Sequence, residues 1–280
     1  MSEVQQWIGK SQERQERVAL QPLVRMAAAL EAGPGQSDMG TPLPPLWHWV
    51  LFPEVARASD LGLDGHAALG EFLPPVPLPS RMWAGGRLWM KAPLCVGDDV
   101  TRVSTILDVQ EKTGRTGPLA FVTVEHAFHV GGDLRLTEQH DIVYRNPPEK
   151  GSKLPAGEEP SPDADWTRTI SPNPVLLFQY SALTYNGHRI HYDVDYCRDV
   201  EGYPGLVVHG PLTATLLAGL VLENLPGEKI SKFSFRARRP LFDNRPFKIA
   251  GRREGSRALL WAIDPDGFLA MTAEAELHSQ

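Results

Sequence analysis

The amino-acid sequence predicts an α+β protein made of two curved antiparallel sheets, each of which wraps a central helix. Three observations predict this class. Runs rich in β-branched residues are separated by glycine turns, as in an antiparallel meander. A polar segment rich in proline and glycine divides these runs into two groups. An apolar stretch that opens with Gly210 and Pro211 has the composition of a buried helix.

The amino-terminal segment is predicted to begin with a helix. Apolar residues recur at three- and four-residue steps from Gln12 to Glu31, and the Ala-Gly-Pro-Gly run at 32–35 cannot continue a helix. Prolines at 42–45 and again at 74–79 force extended chain. The first helix is therefore followed by a long extended passage before the sheet.

Strands are predicted from about Trp83 to Tyr144. Residues 100–109 and 119–130 are rich in β-branched side chains, and the Gly-Arg-Thr-Gly sequence at 114–117 is a hairpin signal. A Gly-Gly-Asp turn then leads into a third strand that ends at Tyr144. This half therefore reads as a meander and not as βαβ units.

The segment 147–166 is predicted to be a linker, because it contains Pro, Gly, Ser, Glu and Asp and almost nothing to bury. The domains that follow from it are an amino-terminal half at 1–146 and a carboxy-terminal half at 167–280. The two halves show no close internal repeat, so their equivalence is a structural inference.

The second half is predicted to contain a polar loop, a buried helix and four strands. The loop runs through Tyr196, and the helix lies within 205–222, where leucines recur on an apolar background. The predicted strands are Lys229–Arg236, Phe247–Arg252, Ala258–Ile263 and Phe268–Leu277.

Composition limits the classes of function. The chain has 280 residues, 42% of them hydrophobic and 22% charged, as in an ordinary globular protein. The formal charge of −6 gives no basic field for nucleic acid, and no apolar run is long enough to span a membrane. The two cysteines are far apart, and the first residues are polar and unlike an export signal. We therefore expect a cytoplasmic protein with free thiols.

The most informative residues lie in the second half. The sequence Ser-Ala-Leu-Thr-Tyr-Asn-Gly-His-Arg-Ile-His-Tyr-Asp occupies 181–193, and Gly-Tyr-Pro-Gly-Leu-Val-Val-His-Gly-Pro occupies 202–211. Histidines, an asparagine and glycines thus collect just ahead of a buried helix. Such a polar group is costly unless it faces a pocket or is fully hydrogen-bonded.

These two motifs resemble those of the MaoC-like hydratases, which carry Gly-Asp-x-Asn-Pro-x-His and a downstream His-Gly at the start of a helix. In this alignment Asn186 stands in place of the family's Asp, His188 of its Asn, Arg189 of its Pro and His191 of its catalytic His. The glycine that binds the thioester oxygen corresponds to Gly210.

The resemblance is specific to a subgroup and extends over nearly the whole chain. The subgroup includes type 2 3-hydroxyacyl-thioester dehydratases of mitochondria and the hydratases of mesaconyl-C4-CoA, itaconyl-CoA and 3-methylfumaryl-CoA. Its amino-terminal half resembles Pro-Leu-Pro-Pro-Leu-Trp at 42–47 and Leu-Pro-Pro-Val-Pro-Leu-Pro-Ser-Arg-Met-Trp-Ala-Gly-Gly at 73–86. The resemblance implies a double hot-dog fold whose first half is non-catalytic and shapes the substrate tunnel.

The implied activity is the addition of water to the double bond of a short, branched dicarboxylic enoyl-CoA. His191 would be the base, Asn186 would position the water, and the Gly210 N–H would hold the thioester oxygen. Coenzyme A arrives with the substrate, so we expect no separate cofactor. Two alternatives stay open, a 3-hydroxyacyl-thioester dehydratase of fatty-acid synthesis and a non-catalytic acyl-thioester binding protein.

Further candidates complete the predicted site. Those for a proton relay are His188, Tyr185 and Asp193, although Asp193 would also suit the cap of a turn. Those for binding substrate or CoA are Arg81, Arg87, Arg189 and His209, with a structural or pocket-lining role also open for His209. No metal is expected, because the histidines lack a carboxylate-rich partner motif. Hot-dog halves often pair, so a homodimer is also expected.

Overall fold

The computed structural model describes residues 3–32, 38–114, 117–146 and 156–279. Within these ranges, no helix combines the length and apolarity that a bilayer crossing requires. The loop residues of the hairpin predicted at 114–117 and the first part of the predicted linker, 147–155, lie outside the described residues. The two strands of that hairpin pair up to Gly114 and Gly117.

The described chain contains ten strands and four α-helices. The strands are β1 (Ser11–Arg17), β2 (Ser80–Met90), β3 (Asp99–Gly114), β4 (Gly117–Val130), β5 (Asp133–Arg145), β6 (Trp166–Ile170), β7 (Glu228–Ala237), β8 (Phe247–Glu254), β9 (Arg257–Ile263) and β10 (Leu269–Ser279). The helices are α1 (Leu20–Ala29), α2 (Pro174–Thr184), α3 (Val194–Asp199) and α4 (Gly210–Asn224).

The strands form one continuous antiparallel sheet and not two separate ones. Its order is β1-β3-β4-β5-β2-β7-β10-β9-β8-β6, so the first five strands belong to one half of the chain and the last five to the other. The halves join where β2 pairs with β7, from Gly85 opposite Arg236 to Trp89 opposite Lys232. This pairing removes two strand edges that would otherwise expose unpaired backbone groups.

Helix α4 is the central helix of the second half-sheet, as predicted. It begins with Gly210 and Pro211, where the missing proline N–H costs no hydrogen bond. Residues from Leu212 to Val221 are almost all buried, several of them completely. Burying a leucine side chain completely stabilises the folded protein by about 1.5–3 kcal/mol. This gain explains why the helix needs no polar face.

The helix predicted from Gln12 to Glu31 is wrong over its first part. Residues 11–17 form the edge strand β1, which pairs with β3, and only Leu20–Ala29 is helical. The segment Ser-Gln-Glu-Arg-Gln-Glu-Arg alternates between exposed and half-buried positions, as a strand does. This segment is a strand because its backbone pairs with β3. The local sequence pattern contains no information about that distant strand.

The second half differs from the prediction in smaller ways. Trp166, the last residue of the predicted linker, opens β6, which pairs with β8. Part of the predicted polar loop forms the short helix α3, and α2 precedes it. The division into 1–146, 147–166 and 167–280 stays a prediction.

Candidate active site

A cavity of about 820 Å³ lies between the two halves of the chain. One wall is the end of α2 with the loop that follows it, including Ser181, Asn186 and Gly187. The opposite wall comes from the first half and includes Arg81 and Trp83 of β2. The motif residues of the second half therefore face side chains that the first half supplies.

His191 is held as a neutral imidazole with a defined orientation. Its Nδ1 lies 2.7 Å from the carbonyl oxygen of Val207, so Nδ1 carries the proton and donates it. Nε2 is then left with its lone pair. Burial lowers the pKa of His191 to about 4, although the Val207 carbonyl acts in the opposite direction. At neutral pH this ring is an uncharged base.

His209, like His191, is not part of the cavity lining. It is fully buried, its ring stacks on that of His191, and its Nε2 lies 2.8 Å from Ser181 Oγ. Burial, followed by the charges of His191 and His188, lowers its pKa well below the ordinary value. This enclosure fits the structural role that the sequence also left open for His209, and its contact with substrate or CoA stays a prediction.

Gly210 is the first residue of α4, so its N–H has no acceptor within the helix. A Cβ added there would have Trp83 O at 3.9 Å and Met271 Cε at 4.0 Å as its nearest atoms, which is ordinary contact. The backbone does not require glycine at this position. Pro211, the next residue, lines the cavity, so the N-terminus of α4 lies at its wall, where a partial negative charge is favoured.

Asn186 and Tyr185 follow α2 in the cavity wall. Asn186 Oδ1 accepts a hydrogen bond from the His188 N–H at 3.0 Å, which closes a turn and leaves the side-chain NH₂ as its remaining donor. Tyr185 has a φ of 53° and is 58% exposed, so it lies at the outer part of the wall. A relay role for Tyr185 stays a prediction.

Asp193 and Arg189 are engaged with each other and not with the cavity. Asp193 caps α3 by accepting from the Tyr196 N–H at 2.9 Å, and its other oxygen lies 2.7 Å from Arg189 Nη2. The Arg189 guanidinium also donates to the Leu63 carbonyl and lies over the Tyr196 ring. These contacts fit the turn cap that the sequence also allowed for Asp193, while the relay role of Asp193 and the binding role of Arg189 stay predictions.

The loop 61–67 of the first half brings a carboxylate and an imidazole to the site. His66 Nδ1 lies 2.8 Å from Asp64 Oδ2, and the His66 ring centroid lies 4.2 Å from that of His188. Potential ligand atoms of Asp64, His66 and His188 all lie within 4.8 Å of one another, a grouping that could hold a metal ion. Of these three residues, His188 alone belongs to the sequence motif at 181–193.

The inner part of the cavity wall carries a buried carboxylate. Glu138 is 1% exposed, and its oxygens lie 2.9 Å from His48 Nε2, 2.7 Å from Trp49 Nε1 and 2.5 Å from His140 Nε2. Burial raises the pKa of Glu138, but the charges and hydrogen bonds of His140 and His48 outweigh it and hold the pKa well below its usual range. This wall is polar and hydrogen-bonded.

Two arginines of the first half line the cavity, Arg81 and Arg102. Burial lowers the pKa of Arg102 to about 10, so it stays charged at neutral pH, and its Nε is buried without a hydrogen-bond partner among the described residues. Arg87 does not reach this cavity. It lines a different one together with Asp141, which binds its guanidinium at 2.8 and 2.9 Å, so its contact with substrate stays a prediction.

Sequence reasoning missed the residues that the first half contributes. Asp64 and His66 lie in an extended, glycine-containing segment with no periodic pattern to place them. Glu138 did carry a signal, since it alternates with the buried Leu136 on β5 and so had to point inward. A charged residue at an inward position of a strand indicates a partner or a pocket.

Comparisons with known proteins agree with this geometry. Residues 46–243 match the model of the family described as hydroxyacyl-thioester dehydratase type 2. The chain is 45% identical over 274 residues to the mesaconyl-C(4)-CoA hydratase of Chloroflexus aurantiacus, covering 97% of this chain and 96% of that protein. The resemblance predicted from the motifs is confirmed.

Solved structures show the same fold at low identity. A MaoC-like dehydratase from Phytophthora capsici superposes with a TM-score of 0.70 at 14% identity, over 99% of this chain and 98% of that one. A Mycobacterium tuberculosis protein described as having a double hot-dog fold gives a TM-score of 0.57 at 12% identity, over 97% and 96% of the two chains. The predicted double hot-dog class is confirmed.

Proposed function

Because this chain belongs to the hydroxyacyl-thioester dehydratase type 2 family, we propose that it hydrates the double bond of a short, branched dicarboxylic enoyl-CoA. One observation carries the proposal: a neutral imidazole, that of His191, is fixed next to a helix N-terminus that opens with Gly210. Hydration of an enoyl thioester needs a base for water and a donor for the thioester oxygen.

His191 is the base in this proposal. With Nδ1–H donating to Val207, Nε2 accepts a proton from the water that attacks the β-carbon. The low pKa of the buried ring ensures that Nε2 is unprotonated at neutral pH. The NH₂ group of Asn186 holds the oxygen of this water, because the carbonyl oxygen of the same side chain is already bonded to the His188 N–H.

Gly210 supplies the oxyanion donor. As water adds to the β-carbon, electron density moves to the thioester oxygen, and an N–H at the start of α4 stabilises it with support from the helix dipole. The absence of a side chain allows the thioester to approach the backbone closely. Pro211 has no N–H, so it does not compete for the oxygen.

The dicarboxylic substrate follows from the inner wall of the cavity. Glu138, which His48 and His140 both contact, would oppose a long alkyl chain, although aromatic rings such as Phe128 also line this cavity. Arg102 is half-buried in the wall, has no hydrogen-bond partner for its Nε among the described residues, and could bind a substrate carboxylate through its guanidinium, and Arg81 is a second cation in the wall. The relative from Chloroflexus aurantiacus is named for mesaconyl-C(4)-CoA, a thioester of a dicarboxylic acid.

The wider setting of the enzyme is part of the same proposal. Coenzyme A enters as part of the substrate, and the reaction uses no separate cofactor. We assign the enzyme to the cytoplasm, in keeping with Cys95 and Cys197, which are both free thiols. A homodimer is the expected assembly, and light scattering of the purified protein tests it.

The experiment follows the loss of enoyl-thioester absorbance with purified protein. Mesaconyl-C4-CoA, itaconyl-CoA, crotonyl-CoA and a C8 enoyl-CoA are offered in parallel, and we expect turnover of a dicarboxylic substrate to exceed the others. His191→Ala should lower kcat by at least about 100-fold, the usual contribution of a general base. His129→Gln, which changes a histidine outside the cavity, is the control.

Each result decides between the candidates. Preference for the C8 substrate would favour the fatty-acid dehydratase, and preference for crotonyl-CoA would keep the hydratase but discard the dicarboxylic substrate. Thioester binding without turnover of any substrate would reject the hydratase in favour of an acyl-thioester binding protein.

A further inference from the structure

Two glycines hold the loop 61–67 of the first half against the motif loop of the second. Gly65 has a φ of +88°, and a Cβ there would lie 2.1 Å from the carbonyl oxygen of Gly187. A Cβ on Gly187 would in turn lie 2.9 Å from the Gly65 oxygen. The Arg189 N–H donates to the Asp64 carbonyl at 2.8 Å. The backbones therefore touch, and only glycine allows this approach.

This contact aligns a carboxylate and three imidazoles. Asp64 accepts from His66 twice, through the backbone N–H at 3.1 Å and through the ring Nδ1 at 2.8 Å. The His66 ring lies 4.2 Å from the His188 ring, which lies 5.6 Å from the His191 ring, centroid to centroid. His66 is the member of this series that lines the cavity.

Burial lowers the pKa of both His66 and His188, so these two rings are neutral between turnovers. The hydrogen bond with Asp64 raises the pKa of His66 back in part. Burial raises the pKa of Asp64, but its hydrogen bonds with His66 outweigh this and lower the pKa below the usual range, so the carboxylate is charged. A negative group fixed on Nδ1 stabilises an imidazolium that forms at His66.

We propose that Asp64 and His66 form an acid–base dyad that protonates the α-carbon, and that His188 passes the proton to it from His191. The dyad rests on the proposed hydration. It supplies from the first half the carboxylate that the motif lacks where Asn186 stands. The first half is then a partner in the chemistry in addition to shaping the cavity.

The proton balance is as follows. The oxygen of water bonds to the β-carbon while one O–H bond breaks and its proton goes to Nε2 of His191. The electron pair of the double bond moves toward the α-carbon and the thioester oxygen. The proton passes from His191 through His188 to His66, and His66 gives it to the α-carbon. All three rings end neutral, and the net change is the addition of one water.

Exchange of the α-proton isolates this dyad. The saturated analogue of the preferred substrate cannot lose water, so deuterium uptake at its α-carbon in D₂O, read by mass spectrometry, reports only the group that serves that carbon. We expect exchange with the wild type, a loss of about 100-fold in His66→Gln and a smaller loss in Asp64→Asn. His191→Gln should retain exchange while losing hydration, and His129→Gln should retain both.

The outcomes separate the dyad from the proposed function. A wild type that hydrates no enoyl-CoA overturns both. Hydration with normal exchange in His66→Gln overturns the dyad alone, as does exchange that depends on His191 and not on His66. Circular dichroism establishes that each variant is folded, and Asp64→Asn keeps the loop contact if His66→Gln does not fold. A stoichiometric metal ion that His66→Gln releases together with activity would replace the dyad by a metal site.

Discussion

The ring of His191 stacks on the ring of His209, with 3.6 Å between their centroids and 19° between their planes. His209 is itself fixed by Ser181, whose Oγ lies 2.8 Å from its Nε2. The last turn of α2 therefore fixes the ring of His209, on which the ring of His191 stacks. The orientation of the proposed base depends on two other segments of the chain, α2 and residues 207–209, since Val207 fixes the other edge of the His191 ring.

Replacing His209 by Phe tests this support. The aromatic volume is kept, but Ser181 Oγ loses its partner, which should lower the free energy of unfolding by about 1–3 kcal/mol. We expect KM to be unchanged, because His209 does not line the cavity. Urea denaturation and steady-state kinetics measure both effects. The double variant Ser181→Ala, His209→Phe should recover stability. A rise in KM would instead support the predicted contact of His209 with the substrate.

The pH dependence of kcat/KM tests His191 as the base. Burial lowers the pKa of His191 to about 4, so the ring is neutral above that pH and protonated below it. The rate should therefore be flat from about pH 6 to 8 and fall by half near pH 4, where the free enzyme loses its base. A falling limb centred near pH 6.5 would contradict a buried neutral His191.

Stability should fall as the pH falls below the ordinary histidine pKa. Burial lowers the pKa values of His126, His188, His191 and His209, so the unfolded chain binds protons near pH 6.5 that the folded chain does not. Their contribution is complete above pH 6.5. It declines by up to about 1.4 kcal/mol per pH unit for each ring as the pH falls toward the folded pKa values.

Urea midpoints between pH 7 and 5 measure this decline, in a window that lies above the ordinary pKa of carboxylates. His191→Gln removes one of these rings, so unfolding takes up about one proton fewer. The decline of stability with falling pH should therefore be shallower. A stability that does not change across this range would show that these rings are not neutral in the folded protein.

Gly210→Ala separates folding from function at the start of α4. The backbone there accepts alanine and the added Cβ meets only ordinary contacts, so stability should be unchanged or rise by about 0.4–1 kcal/mol. The same methyl group displaces the thioester oxygen and should lower kcat/KM on the order of 10- to 100-fold. Gly219→Ala, with open space around the added Cβ in the same helix, is the matched control and should leave the rate unchanged.

Arg102→Gln tests recognition of the substrate carboxylate. Loss of a charged hydrogen-bond donor should raise KM for a dicarboxylic substrate by at least about 10-fold and leave KM for crotonyl-CoA nearly unchanged. Arg87→Gln removes the same charge from a side chain paired with Asp141 outside the cavity, so its KM values should match the wild type. Equal effects of Arg102→Gln on both substrates would argue against a carboxylate contact.

Local pattern predicted most of the second half. The strands from β7 to β10 and the helix α4 are visible as short-range alternation and as an apolar run with a Gly-Pro start. The same reasoning failed for β1, where the polar segment at 11–17 is a strand only because β3 lies beside it. Hydrogen bonding to a distant strand leaves little mark on local composition.

The sequence by itself determined the class of fold, the motif around His191 and the helix that begins at Gly210, because each depends on residues that are close along the chain. Tertiary structure decided which side chains meet that motif. Asp64 and His66 reach His188 only because Gly65 and Gly187 let two distant loops touch, and Arg87 and Arg102 differ because they line different cavities. Contacts of this kind depend on backbone approach and sheet register, which no short stretch of sequence contains.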